Sequence, residues 1–203
     1  MISASKDAAA SNDSAAGNEE LNGGRHEMLR GGDRVLIRPI HKDDVEMERK
    51  FIEALSPESR RFRFLETLNS PSDALLAKLT TIDPSTDMAY VAVIEENAKE
   101  IEVGVARFSA QAGGKECEFA VTVSDAWQNK GLGTLLMKYL IVAAKKLGIE
   151  RMHSSDLEDN NLMRKFAAHL QLDHKRDPDD ITQVLYTVDL RKPALHVAAA
   201  SAA

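Results

Sequence analysis

The sequence is short of the features that mark several protein classes. Only one cysteine, Cys117, stands among its 203 residues. The chain therefore forms no internal disulfide and no cysteine-type metal cluster, which fits a reducing compartment. No apolar run is long enough to cross a bilayer: the most apolar stretch, Leu135 to Ala144, is short and interrupted by Lys138. The first residues carry Lys6 and Asp7 among Ala, Ser, Asn and Gly, without the apolar centre of a signal peptide. The six histidines show no ligand spacing such as His-x-x-x-His, and no metal is expected. An excess of positive charge is missing as well. A formal net charge of -6 speaks against nucleic acid as a partner; it suits a cationic substrate, and equally serves solubility. No internal repeat is present. These absences predict a cytoplasmic, soluble protein that neither spans a membrane nor binds nucleic acid.

What is present is ordinary for a globular domain. Apolar residues make up 43% and charged residues 29%, and the length suits one well-buried unit. Residues 1–28 are rich in Ala, Ser, Asn, Asp and Gly, with almost no large apolar side chains. Such a segment buries too little surface to offset its ordering entropy, and it reads as a disordered tail. The Ala/Ser-rich end, 192–203, reads the same way, leaving 29–191 as the folded domain.

Within that domain two periodicities alternate. Arg34 to Pro39 reads as a strand stopped by proline. Asp43 or Asp44 caps a helix to Leu55, with Val45, Met47, Phe51, Ile52 and Leu55 as its apolar set. A second helix runs from Ser70-Pro71 to about Leu79, with Pro71 in the first turn. Met88–Ile94 and Ile101–Ser109 read as strands joined by the polar turn Glu95–Glu100, and Gly113-Gly114 leads into a strand over Glu116–Val123. On that strand Cys117, Phe119, Val121 and Val123 share one face, and Glu116, Glu118, Ala120 and Thr122 the other. The helix after Gly133 is the clearest: Leu132, Leu135, Leu136, Tyr139, Leu140 and Ala143 keep helical spacing until Gly148. Ile149–Ser154, Asn160–Leu170 and Val184–Leu190 follow as strand, helix and strand. The order β-α-α-β-β-β-α-β-α-β predicts an α+β fold around one mixed sheet.

Gln128-Asn129-Lys130-Gly131-Leu132-Gly133 lies between a strand and the strongest helix. A helix N-terminus offers unpaired backbone N–H groups and a partial positive charge. Glycine lets the backbone approach a pyrophosphate, and Lys130 adds a cation. The segment is neither a Walker loop nor the three-glycine dinucleotide fingerprint, so a nucleotide-binding domain fails on loop pattern and on strand order.

The pattern Gln/Arg-x-x-Gly-x-Gly/Ala, after a strand and before this helix, resembles the acyl-CoA signature of the GNAT acetyltransferases. The resemblance covers roughly residues 34 to 190. Glu118 to Gly133 looks like that family's strand-to-loop core, and Leu157-Glu-Asp-Asn160-Asn-Leu-Met163 resembles the segment opening its last helix. Ser56-Pro57-Glu58-Ser59-Arg60 and Arg61-Phe62-Arg63-Phe64 resemble stretches of the GNAT domain in bacterial protein-lysine acetyltransferases. The resemblance implies a mixed, mostly antiparallel sheet flanked by helices, opened as a V between the strand ending at Val123 and the strand beginning near Ile149. It further implies acetyl-CoA as co-substrate, with pantetheine along the backbone of Val121 and Val123. The pyrophosphate would meet the amides of Asn129, Lys130, Gly131, Leu132, Gly133 and Thr134, beside Gln128, and Asn160 would orient the cofactor. The acceptor is an amine, on a small molecule or a protein lysine, and homodimer formation is left open.

Acyl transfer needs a neutral amine, whereas a free lysine is only about 0.04% neutral at pH 7. Glu118 stands where related enzymes carry a strand glutamate that accepts the amine proton, usually through water; Glu116, on the same face, is the reserve candidate. Many relatives use a tyrosine of the last helix to protonate the departing thiolate, but this chain has Phe166 and no tyrosine there. Tyr139 fits the core, His153 is a weak substitute, and the general acid stays unassigned. Cys117 shares the face of Phe119 and Val121, as a buried structural thiol does. Trp127 reads as packing at the start of the loop. Arg60, Arg61 and Arg63 either line the acceptor side, touch the CoA 3′-phosphate or form a solvated helix face. A non-catalytic acyl-CoA sensor would keep the same loop and remains the alternative.

Overall fold

A computed structural model describes residues 24–65 and 68–192. Most of both tails, 1–23 and 193–203, lies outside the described residues. Eight strands form one sheet: β1 (Arg25–Met28), β2 (Arg34–Pro39), β3 (Asp87–Glu96), β4 (Lys99–Ala110), β5 (Glu116–Val123), β6 (Arg151–Leu157), β7 (Asp173–Arg176) and β8 (Gln183–Asp189). Their spatial order is β1-β2-β3-β4-β5-β6-β8-β7. Every pairing is antiparallel except β5 with β6. The α+β, mostly antiparallel expectation therefore holds.

Two strands escaped the sequence reading. β1 lies inside the segment read as tail, so the folded part starts before residue 29; it pairs Arg25–Met28 with Arg34–Ile37 across a turn at Gly31-Gly32. β7 adds an edge beyond β8. Each is a four-residue edge strand held by backbone bonds, and β7 is exposed at every residue. Short, charged edges carry no apolar alternation, and they also discourage sheet-to-sheet aggregation.

Helices cover both faces: α1 (Val45–Ala54), α2 (Pro57–Phe64), α3 (Asp73–Thr80), α4 (Leu132–Lys146) and α5 (Asn161–His169). Helix α2 is an addition to the expected order. Its start follows simple rules: Ser56 caps it by accepting the Ser59 N–H, and Pro57 occupies the first turn. Helix α3 begins two residues later than expected, with Asp73 rather than Pro71 at its first position, because the Ser72 hydroxyl supplies the cap by accepting the Leu75 N–H at 3.2 Å. Helix α1 is preceded by a 3-10 turn, Lys42–Asp44. Gly148, at φ +75°, follows the last turn of α4 in the left-handed conformation that ends many helices.

Two apolar clusters result. One packs α4 and α5 against Tyr90, Ala92, Phe108, Cys117, Phe119 and Met152. The other packs α1 and α3 against Ala89, Val91, Val93 and Val105 on the opposite face. A charge is folded into the second. Glu48 is 2% exposed and receives the Arg107 guanidinium at 3.0 Å. Glu102 is buried beside this pair, and desolvation together with Glu48 pushes its carboxyl well up, toward the neutral form.

Candidate active site

The two central strands part company. β5 and β6 pair only at Glu116–Arg151, Cys117–Met152 and Glu118–His153. β5 nevertheless continues to Val123, held by β4 on its other side, and β6 continues to Leu157, held by β8. Five residues of β5 and four of β6 thus face each other across a gap. It opens into a cleft of about 400 Å³, on the scale of a small-molecule site. This is the expected V. Val121 and Val123 line it on one side, Asp156 and Asn160 on the other.

The glycine loop closes one end. Asn129 (φ +61°) and Gly131 (φ +86°) both take left-handed backbone, and Gly131 is the N-cap of α4. No atom lies within 4 Å of a Cβ built on Gly131, so this edge of the loop is open to a ligand. The helical ladder begins with the Leu135 N–H donating to the Gly131 carbonyl at 3.1 Å. The amides of residues 132–134 therefore precede it and remain available, as at any helix N-terminus. A Cβ on Gly133 would meet the Phe166 ring at 3.4 Å, so glycine there keeps the cleft wall close to α5. Asn129, Gly131, Leu132, Gly133 and Thr134 all line the cleft. Lys130 does not: its ammonium pairs with Asp33 at 3.0 Å and lies 4.5 Å over the Trp127 ring.

Gln128 works sideways. Its amide donates to the Val123 carbonyl at 3.3 Å and to Ser59 Oγ at 3.4 Å. Asp125 accepts from the Ser56 N–H and from the Ser56 and Ser59 hydroxyls at 2.8–2.9 Å, which hold its carboxyl below the ordinary range against the opposing effect of burial. The loop is thereby fastened to the start of α2, on the opposite face of the sheet from α4.

Asn160 caps α5. Its Oδ1 accepts the Met163 N–H at 3.0 Å, and its Nδ2 donates to both carboxylate oxygens of Asp156 at 3.1 and 3.0 Å. Asp156 also accepts the Leu157 N–H at 2.7 Å. Asn160 lines the cleft, but its polar atoms serve the protein. Asp156 was missed by the sequence reading, which ended this strand at Ser154. Continuing the register from the Glu118–His153 pair sets Asp156 level with Val121 across the gap. Burial pushes its carboxyl up to about 6, although Asn160, the Leu157 N–H and Arg61 favour the charged form.

Glu118 is exposed and sits at the foot of the gap, in the last β5–β6 pair. Its side-chain face, shared with Ala120 and Thr122, is that of α1–α3. Glu116 is committed to Arg151 at 2.9 Å. His153 stays paired in the sheet outside the cleft lining. Tyr139 donates to Glu27 at 2.7 Å, far from the gap. Burial pushes the Cys117 thiol up to about 12, as for an inert structural cysteine. Phe166 lines the cleft wall. Among the described residues no helix is long and apolar enough to cross a membrane, and no cluster of potential metal ligands is present.

Known proteins share this architecture. A family model described as Acetyltransferase (GNAT) domain matches residues 34–172. Acetyltransferase PA5475 of Pseudomonas aeruginosa is 43% identical over 164 residues, which are 81% of this chain and 88% of that protein. Acetyltransferase Pat of Mycolicibacterium smegmatis is 32% identical over 163 residues, 80% of this chain but 47% of Pat; the chain spans about half of that relative. Among solved structures, the GNAT domain of S. lividans PAT aligns with a TM-score of 0.76 at 26% identity, over 82% of this chain and 96% of that domain. The family match and these relatives mark the chain as an acyltransferase. The chain belongs to the GNAT acetyltransferase family.

Proposed function

We propose that the chain transfers an acetyl group from acetyl-CoA to a primary amine by direct attack. The observation that carries this reading is the gap between β5 and β6 ending on the open amides at the start of α4. The residues present suit the co-substrate: a polar, glycine-edged helix end for the pyrophosphate, and an apolar channel of Val121, Val123, Leu132 and Phe166 for the pantetheine arm. Family membership supports acetyl-CoA as the donor.

The amine nitrogen attacks the thioester carbonyl; a C–N bond forms, the C–S bond breaks and CoA leaves as thiolate. Glu118 is the general base, taking the amine proton through water. Its exposed position at the foot of the gap keeps it accessible to an acceptor arriving over α1–α3. With Phe166 in the cleft wall, the thiolate departs without an aromatic proton donor. The resemblance of residues 56–64 to bacterial protein-lysine acetyltransferases makes a protein lysine one acceptor class to test.

Glu118→Gln is expected to leave acetyl-CoA affinity intact and to lower turnover on the order of 10²-fold, the usual worth of a positioned base. Unchanged turnover, read by CoA release, would remove Glu118 from the mechanism. A non-catalytic acyl-CoA sensor shares the loop, and Phe166 in place of a tyrosine favours it. Tight acetyl-CoA binding with no CoA release across polyamines, amino acids, antibiotics and acetyl-CoA synthetase protein would select the sensor.

A further inference from the structure

Arg60, Arg61 and Arg107 each have a polar partner, although the Nε atoms of Arg60 and Arg107 stay unpartnered. Arg60 donates to the carbonyls of Asn69 and Leu55 at 2.5 and 3.2 Å. Arg61 pairs with Asp159 at 2.6 Å. Arg107 holds the Leu79 carbonyl at 2.8 Å and Glu48 at 3.0 Å. Arg63, on α2, differs. It lines the cleft, and among the described residues it makes neither a hydrogen bond nor an ion pair. Its one specific contact is the ring of its neighbour Phe64, 5.0 Å from the guanidinium carbon.

Arg63 is half-buried, and its five N–H donors have no partner among the described residues. Burial pushes Arg63 down to about 10, and the nearby Arg107 adds to the effect, against Glu48 and Glu118. None of the surrounding carboxyls answers it. Glu48 is committed to Arg107. Glu102 is held toward its neutral form. Glu118 is exposed and makes no ion pair with Arg63. An anion entering the cleft would meet this guanidinium, which lines it.

We propose that Arg63 is a carboxylate-binding subsite for the acceptor, so that the acceptor is a small amine bearing a carboxylate a few bonds from its nitrogen. The planar fork of arginine matches a carboxylate in two parallel bonds. The charges around Arg63 (Arg107, Glu48 and Glu118) belong to the α1–α3 face of the sheet. The helix end that suits the pyrophosphate belongs to α4 on the other face, so the anion at Arg63 is the acceptor's and not the cofactor's. A protein lysine brings only its ammonium this deep; an acidic neighbour on the same polypeptide stays outside. The substrate class is therefore an amino acid or a close analogue.

The proposal rests on the N-acetyltransferase reading of the same cleft, and two measurements separate their failures. CoA release is compared for matched acceptors, β-alanine with propylamine and lysine with cadaverine, on the full chain and on Arg63→Gln and Arg63→Lys. The carboxylate-bearing member is expected to lead by roughly ten- to a hundredfold in kcat/KM, the range for one charge-assisted pair. Arg63→Gln should erase that lead and Arg63→Lys retain part of it. Equal use of both members, preference for a lysine peptide, or an equal loss for both in Arg63→Gln overturns the subsite. Independently, N-acetyl-β-alanine and N-propylacetamide are titrated calorimetrically into the protein with CoA present, with circular dichroism verifying that each variant is folded. Binding of the carboxylate that depends on Arg63, with no CoA release from any acceptor, sinks the transferase reading and leaves the subsite standing. Binding independent of Arg63 sinks the subsite whatever the turnover.

Discussion

Replacing Asp156 by asparagine probes the electrostatics of the cleft while nearly preserving its shape. In the folded protein burial raises this carboxyl to about 6, against roughly 3.9 in an unfolded chain. Between those values the folded state holds a proton that the unfolded state has lost. The contribution to stability is thus fully present below about pH 4 and is lost as pH rises through about 6. Two units at about 1.36 kcal/mol each give an upper figure of about 3 kcal/mol. Asp156 keeps some contact with solvent, and screening there reduces the expected effect to about 1–2 kcal/mol. Asparagine has no such pH dependence. Urea unfolding of both proteins at pH 4, 5, 6 and 7.5 should show the difference in unfolding free energy shifting by about 1–2 kcal/mol in favour of Asp156→Asn toward pH 7.5. A difference that stays constant with pH would refute the reasoning, since it would mean that the carboxyl titrates as it does in the unfolded chain.

Two further substitutions test how the sheet is held. Tyr139→Phe removes the 2.7 Å bond to Glu27 that fastens edge strand β1 to α4; thermal or urea unfolding should report a loss of about 1 kcal/mol. The β3–β4 hairpin turns on Asn97 and Ala98, both left-handed at φ +53° and +59°. Glycine suits the second position far better than alanine, so Ala98→Gly should stabilise by about 0.5–1 kcal/mol in the same measurement.

The sequence carried the central architecture because its central elements bury strong periodic patterns. Strands β2–β5, β6 and β8 and helices α1 and α3–α5 stand within a few residues of their expected places, and the parting of β5 from β6 follows the family resemblance. The edge strands were invisible for a physical reason: Arg25–Met28 and Asp173–Arg176 are held by backbone bonds, which leave no mark on side-chain pattern. Helix α2 buries none of its residues completely, so no apolar stripe announced it, although Ser56-Pro57 was a legible start. At the site, the loop and the two valines could be read from spacing and resemblance. The destinations of the polar side chains could not. Lys130 turned to Asp33, 97 positions away, and Glu48 turned inward to Arg107, 59 positions away, while Asn160 turned to Asp156, four positions away on a strand that appeared to have ended. Long-range pairing of charges has no local signature; Asp156 was missed altogether, and Arg63, named with Arg60 and Arg61, is set apart from them only by its lack of a polar partner.

The central claim is that acetyl-CoA lies in the gap between β5 and β6 with its pyrophosphate on the start of α4. A calorimetric titration of acetyl-CoA into the native chain and into Gly131→Glu tests it most directly. The account predicts one saturable site in the native protein. In the variant, a carboxylate at the open edge of the loop, facing the ligand's phosphates, should reduce affinity at least tenfold, or by about 1.4 kcal/mol or more, while the protein remains folded. Equal affinity in the two proteins would contradict it.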